Sequence, residues 1–177
     1  KKAAILKVLP RLPGAKALRE AAAAASDKDP QVQAAGVYAL SEWPDVKAKD
    51  ELLRVVSTTA SKKYLLMALE GYVRVVRQAD IPASKKVELL GNALGLIKED
   101  ADKNAVIRGL AEIRGPEALR LLSDSLANPA LRDAAVRGLL EMAAEQAPDE
   151  RWLSREEAVS ALRRAEALAE DPADREQ

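Results

Sequence analysis

Residues 30–40, PQVQAAGVYAL, return 99 positions later as residues 129–139, PALRDAAVRGL. In each copy a proline follows a short amide or acid side chain, Asp29 or Asn128. A small residue, Ala39 or Gly138, stands nine positions after that proline, and a leucine comes next. Two more worn copies lie between them, Met67-Ala68-Leu69-Glu70-Gly71-Tyr72 and Ala105-Val106-Ile107-Arg108-Gly109-Leu110. A unit that recurs at such intervals is one supersecondary element that buries its apolar face against the next copy. The recurrence therefore points to a stacked array rather than to a single thick core.

Prolines mark where the helical patterns stop, because the ring removes an amide donor and clashes with the preceding turn. Between them the apolar spacing predicts helices over 2–9, 15–26, 30–42, 46–59, 62–78, 84–98, 102–113, 116–127, 129–146 and 155–170. Ser61 reads as a helix N-cap, and Ser154 with Glu157 three places on reads as a capping box. No period-two pattern persists, so the expected class is all-α. The expected architecture is a right-handed α-solenoid of stacked antiparallel helix pairs, forming one domain over 1–177. Within it, 1–13 is a partial N-terminal repeat, 14–146 holds about four pairs, 149–171 is a C-terminal capping element and 172–177 a frayed tail. On the capping helix, Trp152, Leu153, Val159, Leu162 and Leu168 form the expected apolar face.

Ala39, Gly71, Gly109 and Gly138 occupy one column of the four second helices. Glycine in a helix interior costs about 1 kcal/mol relative to alanine, so its return at one register asks for a reason. Close helix–helix contact supplies one. Composition agrees: about one residue in five is alanine and phenylalanine is absent, which suits short inter-helix distances filled by many small contacts.

The run Asp29-Pro30-Gln31-Val32-Gln33-Ala34-Ala35-Gly36-Val37-Tyr38-Ala39-Leu40 resembles the HEAT-repeat pattern of an Asp-Pro turn, a Val-Arg step, small residues and Ala-Leu. Leu131-Arg132-Asp133-Ala134-Ala135-Val136-Arg137-Gly138-Leu139 is similar and keeps the arginine, where the first copy has Gln33. The two middle copies lack the turn motif. The resemblance covers residues 15–146 and implies a protein-binding scaffold with its second helices along a concave face. Ala68-Leu69-Glu70-Gly71-Tyr72-Val73-Arg74 looks like HEAT modules of larger bacterial envelope or secreted proteins. That likeness implies a module of a multidomain bacterial protein, in the periplasm or cell envelope. The bacterial alkylpurine DNA glycosylases, also HEAT-like, supply the rival expectation of a nucleic-acid module.

Charge argues against that rival. The chain carries 28 basic and 28 acidic residues, net zero, whereas phosphate binding draws most of its affinity from basic excess. Arg74, Arg77, Arg108, Arg114, Arg132 and Arg137 could form a basic strip, but Glu70, Glu112 and Glu141 interrupt it. A glycosylase would also need aromatic residues around an extruded base, and Trp43, Tyr72 and Trp152 are the candidates, with Trp43 on an apolar stripe. Cysteine and histidine are both absent. The chain thus has no thiol nucleophile, no disulfide, and neither the commonest general base nor the commonest metal ligand. Asp27-Lys28-Asp29 lacks the glycine and terminal glutamate of a calcium loop, and Gly91–Gly95 falls inside a helical pattern rather than after a strand. The expectation is no enzyme, no catalytic residues, no metal and no cofactor. No apolar run reaches the ~18–20 residues of a membrane span, and the start at Lys1-Lys2 without Met or signal pattern reads as an excised segment.

The candidate partner-binding residues come from aligning the second helices. Tyr38, Glu70, Arg108 and Arg137 fall in one column, and Glu42, Arg74, Glu112 and Glu141 follow four residues later, which sets each pair on one helix face. The expected function is a non-catalytic interaction scaffold or inter-domain spacer. Its partner is another protein or a neighbouring domain of the same polypeptide, its oligomeric state is open, and nucleic acid is disfavoured.

Overall fold

The structure, a computed structural model, describes residues 2–12, 14–144 and 155–169. These residues are helical throughout their regular structure, with no strand among them. The chain divides into two compact units, Lys1–Asp80 and Ile81–Gln177.

The first unit holds α1 (Lys2–Leu6), α2 (Ala15–Ala24), α3 (Pro30–Ser41), α4 (Lys49–Thr58) and α5 (Lys62–Gln78). α2 packs on α3 and α4 on α5, while α1, α3 and α5 lie side by side. Local chemistry sets the boundaries. Asp29 caps α3 by accepting the Gln31 amide at 2.8 Å, with Pro30 in the first turn where no amide donor is needed. The Asp29 amide in turn donates to Asp27 Oδ1 at 3.0 Å, so the Asp27–Asp29 stretch is a turn. Ser61 caps α5 through the Tyr64 amide. Two expected helices are shorter than the apolar spacing suggested. The 2–9 segment stops at Leu6 and continues as a 3₁₀ turn, Leu9–Arg11, because Pro10 has no amide to donate to the Leu6 carbonyl four residues back and its ring crowds that carbonyl. The 46–59 segment begins as a 3₁₀ turn, Val46–Ala48, held by the Asp45 carboxylate accepting the Lys47 amide at 2.8 Å.

Two arginines tie the hairpins of this unit together. Arg54 of α4 donates to the Ala22 carbonyl at 2.9 Å and to the Ser26 hydroxyl at 2.7 Å, at the C-terminal end of α2. Arg74 of α5 donates to the Ser41 and Trp43 carbonyls at 2.6 and 2.7 Å, at the C-terminal end of α3. A helix leaves its last four carbonyls without intrahelical donors, and a cation there also meets the negative end of the dipole. Each helix of the second hairpin therefore completes its counterpart in the first.

The second unit holds α6 (Ala83–Leu96), α7 (Asp100–Ala111), α8 (Pro116–Ser125), α9 (Pro129–Ala144) and α10 (Arg155–Ala169). α6 packs on α7 and α8 on α9, α7 lies beside α9, and α10 rests on α8 and α9. Asn128 repeats the role of Asp29, accepting the Ala130 amide at 3.0 Å just before Pro129. Its side-chain amide also donates to Asp100 Oδ2 at 2.8 Å, joining the starts of α7 and α9. Hydrogen bonds from Lys103 and then Asn128, with the Lys103 charge, hold the Asp100 carboxyl below the usual aspartate range. α7 starts two residues before the expected 102, so both Asp100 and Asp102 sit in its first turn, where acids suit the dipole. On α10 the apolar face differs from the expected one: Ala161 is buried and Val159 is exposed. Gln146, Trp152, Leu153, Ser154, Glu170 and the 172–177 tail fall outside the described residues.

At two positions of the small-residue column, helices approach with no room for a side chain. A Cβ on Gly71 would stand 2.7 Å from the Ser41 Cα and 2.9 Å from its carbonyl oxygen. A Cβ on Gly138 would stand 2.8 Å from the Ala111 Cβ. Ser41 ends α3 and Ala111 ends α7, so the same contact occurs in each unit. Ala39 and Gly109 are buried as well. Gly36, outside that column, has no room for a Cβ either, because the backbone of Ala24 and Ala25 occupies that space.

Gly71→Ala should therefore lower the unfolding free energy by ~1–3 kcal/mol, the range seen for overpacking. Gly95 in α6 faces open space, so Gly95→Ala should raise it by ~0.5–1 kcal/mol. Urea titrations of both variants give the two signs; a Gly71→Ala protein as stable as the parent would remove close approach as the reason for the column. A second expectation concerns Tyr72, fully buried in α5. Burial, then the charge of Asp50, pushes its phenol from 10.0 up to about 12. The fold favours the protonated phenol, so its contribution is intact below pH 10 and is lost as the pH rises to about 12. Tyr72→Phe should flatten that alkaline loss by roughly 1–3 kcal/mol, read from denaturant titrations across this range.

Candidate functional site

The eight candidate residues divide between the units. Tyr38 sits on α3 with Glu42 at its C-cap, and Glu70 and Arg74 sit on α5 beside it. Arg108 sits on α7 with Glu112 at its C-cap, and Arg137 and Glu141 sit on the neighbouring α9. Seven of the eight are exposed. The reason is positional: Tyr38, Glu70, Arg108 and Arg137 each immediately precede a buried small residue, and one step along a helix turns a side chain by about 100°. The structure thus brings each foursome onto a pair of adjacent helices.

Arg74 is the exception. Its guanidinium is half-buried and occupied by the Ser41 and Trp43 carbonyls, with a longer contact to Gln78 Oε1 at 3.5 Å. It closes a helix end, whereas the other seven candidates are exposed. The proposed basic strip loses more members in the same way. Arg132 donates to the Leu126 carbonyl at 3.1 Å, and Arg77 is partly buried, which lowers its guanidinium from the usual range. Trp43 and Tyr72 are buried in the first unit, so neither can stack on an extruded base; Trp152 lies outside the described residues. Gly91 and Gly95 are interior to α6.

Sequence reasoning missed a groove on the first unit. Between α1, α3 and α5 lies a groove of 380 Å³ with Tyr38 on its wall.

 Lys7, Lys63, Tyr64, Met67 and Gln31 share the lining with Tyr38, over a floor that includes Ala35. Ala35 is buried and Tyr38 is 41% exposed. The sequence signal was there in the spacing, since Lys63 and Met67 stand four apart on α5 and face α3 together, but which helix they faced was not readable. A cleft on the second unit is lined by Arg120, Ser123, Asp124, Ser160 and Arg164 among others, and its Asp124 offsets the arginines.

Among the described residues no group of acids gathers that could hold a metal ion, no buried side-chain polar atom lacks a partner, and no helix is long and apolar enough to cross a membrane. Removing the Arg74 guanidinium leaves two carbonyls without their charged donor, and charge-assisted bonds of this kind contribute about 1.5–3 kcal/mol each. Arg74→Met should therefore destabilise the chain by ~1–3 kcal/mol, whereas exposed Arg137→Met should change stability by less than ~0.5 kcal/mol. Equal effects in denaturant titrations would contradict the assignment of Arg74 to the fold. No protein-family model, curated protein or solved structure matches this chain.

Proposed function

We propose that the chain is a HEAT-like helical-repeat scaffold, a non-catalytic module that docks a protein partner or a neighbouring domain through its second helices. In this reading the helix pairs stack as a right-handed α-solenoid, with α3, α5, α7 and α9 as the second helices and α10 as a cap. The observation that carries it is the shared register of the second helices. In each unit a glycine lies against the last residue of the preceding second helix, and the residue before that glycine is an exposed charge. α3 and α9 also begin with the same Asx–Pro cap. A register of this kind presents evenly placed side chains on one side of each helix layer, which suits recognition of an extended surface. The likeness to HEAT modules of bacterial envelope proteins suggests the same setting here. Nucleic acid is disfavoured by the zero net charge and by the arginines tied into the fold.

The test is a crosslinking pull-down from native extract, with the parent chain and the double variant Arg108→Glu, Arg137→Glu as baits. Both arginines are exposed, so the variant is expected to fold, and circular dichroism checks that it does. The expected outcome is a protein retained by the parent and lost from the variant. No specific protein on either bait would reduce the module to a spacer.

A further inference from the structure

The groove of the first unit has a chemistry of its own. Its body is apolar, with Tyr38, Tyr64 and Met67 above Ala35, and two lysines, Lys7 and Lys63, stand in its lining. Among the described residues no carboxylate lines it, although the whole chain carries as many acids as bases. Both lysines are exposed, whereas Tyr64 and Met67 are half-buried. The groove opens because α3 turns its small residues toward the larger side chains of α5 there. Its 380 Å³ is enough for one large side chain, within the ~300–1,000 Å³ of ordinary binding clefts.

From this combination we infer that the groove takes an acidic peptide segment with a single large apolar side chain. The apolar side chain enters between Tyr38, Tyr64 and Met67, and flanking carboxylates pair with Lys7 and Lys63. Aromatic walls give an amphipathic contact at low entropic cost, since tyrosine has few rotatable bonds. The lysines act at the rim, where charge governs encounter and partner choice more than it does final affinity. Gln31 offers an amide to the peptide backbone. The inference rests on the scaffold reading and names the chemistry of one partner segment.

The probe is the fluorescein-labelled peptide Glu-Asp-Trp-Asp-Glu, titrated with the whole chain and followed by fluorescence anisotropy. Saturable binding is expected, weakened about tenfold by Lys63→Glu or by alanine in place of the peptide tryptophan, and weakened by salt as rim charges are screened. Tyr38→Ser should weaken it as well. Lys63→Glu alters an exposed helical position and carries the test if Tyr38→Ser fails to fold. Absence of saturable binding, equal binding of a lysine-flanked peptide, or indifference to Lys63→Glu would each overturn the inference. So would equal binding of a labelled oligothymidine, which would make the lysines a phosphate site. Protein capture that depends on Arg108 and Arg137 without peptide binding would leave the scaffold reading standing and remove this one alone.

Discussion

Two helices can approach to backbone contact only where one of them carries no more than a hydrogen at the crossing and the other a small residue. Gly71 against Ser41 and Gly138 against Ala111 meet that condition, and Gly36 meets it against the end of α2. Much else follows from it. With α5 this near to α3, Arg74, one turn beyond Gly71, reaches the carbonyls of Ser41 and Trp43. With the column residue turned inward, the residue before it turns outward. The exposed column of Tyr38, Glu70, Arg108 and Arg137 is thus a geometric partner of the buried small one. A core built in this way needs few large side chains, which agrees with an alanine-rich chain that lacks phenylalanine.

Small residues act in two opposite ways on the same pair of helices. Near the C-terminal end of α3 they let α5 come into contact. Earlier on α3, Ala35 meets Tyr64 and Met67 across open space, and the groove results. What differs is the partner: a glycine on the facing helix closes the gap, whereas longer side chains spaced along it hold the gap open.

The helix class, the Asx–Pro turns and the small-residue column were legible in the sequence, the first two from residues adjacent along the chain and the column from the repeat. Asp29 caps α3 from the adjacent position, and the glycine at each register follows from the repeat. The fate of Arg74 was not legible. Its partners lie 33 and 31 residues away, and nothing in its neighbours distinguishes a charge that closes a helix end from one that faces solvent. Gly36 was missed for a related reason: its crowding comes from Ala24 and Ala25 at the end of another helix. The groove required knowing that Lys7, Tyr38 and Lys63 meet, although they stand far apart in sequence. The expected helix ends at Leu9 and Val46 moved to Leu6 and Lys49 because proline and aspartate chemistry outweighed apolar periodicity there.

The arginine closures have a direction. Arg54 completes the end of α2 and Arg74 completes the end of α3, and in both the donor comes later in the chain than the carbonyls it serves. As the polypeptide leaves the ribosome, the first hairpin emerges with both C-terminal ends open to water. Each end is finished only when the second hairpin has followed and docked. The first hairpin therefore relies on its successor to finish both of its C-terminal ends.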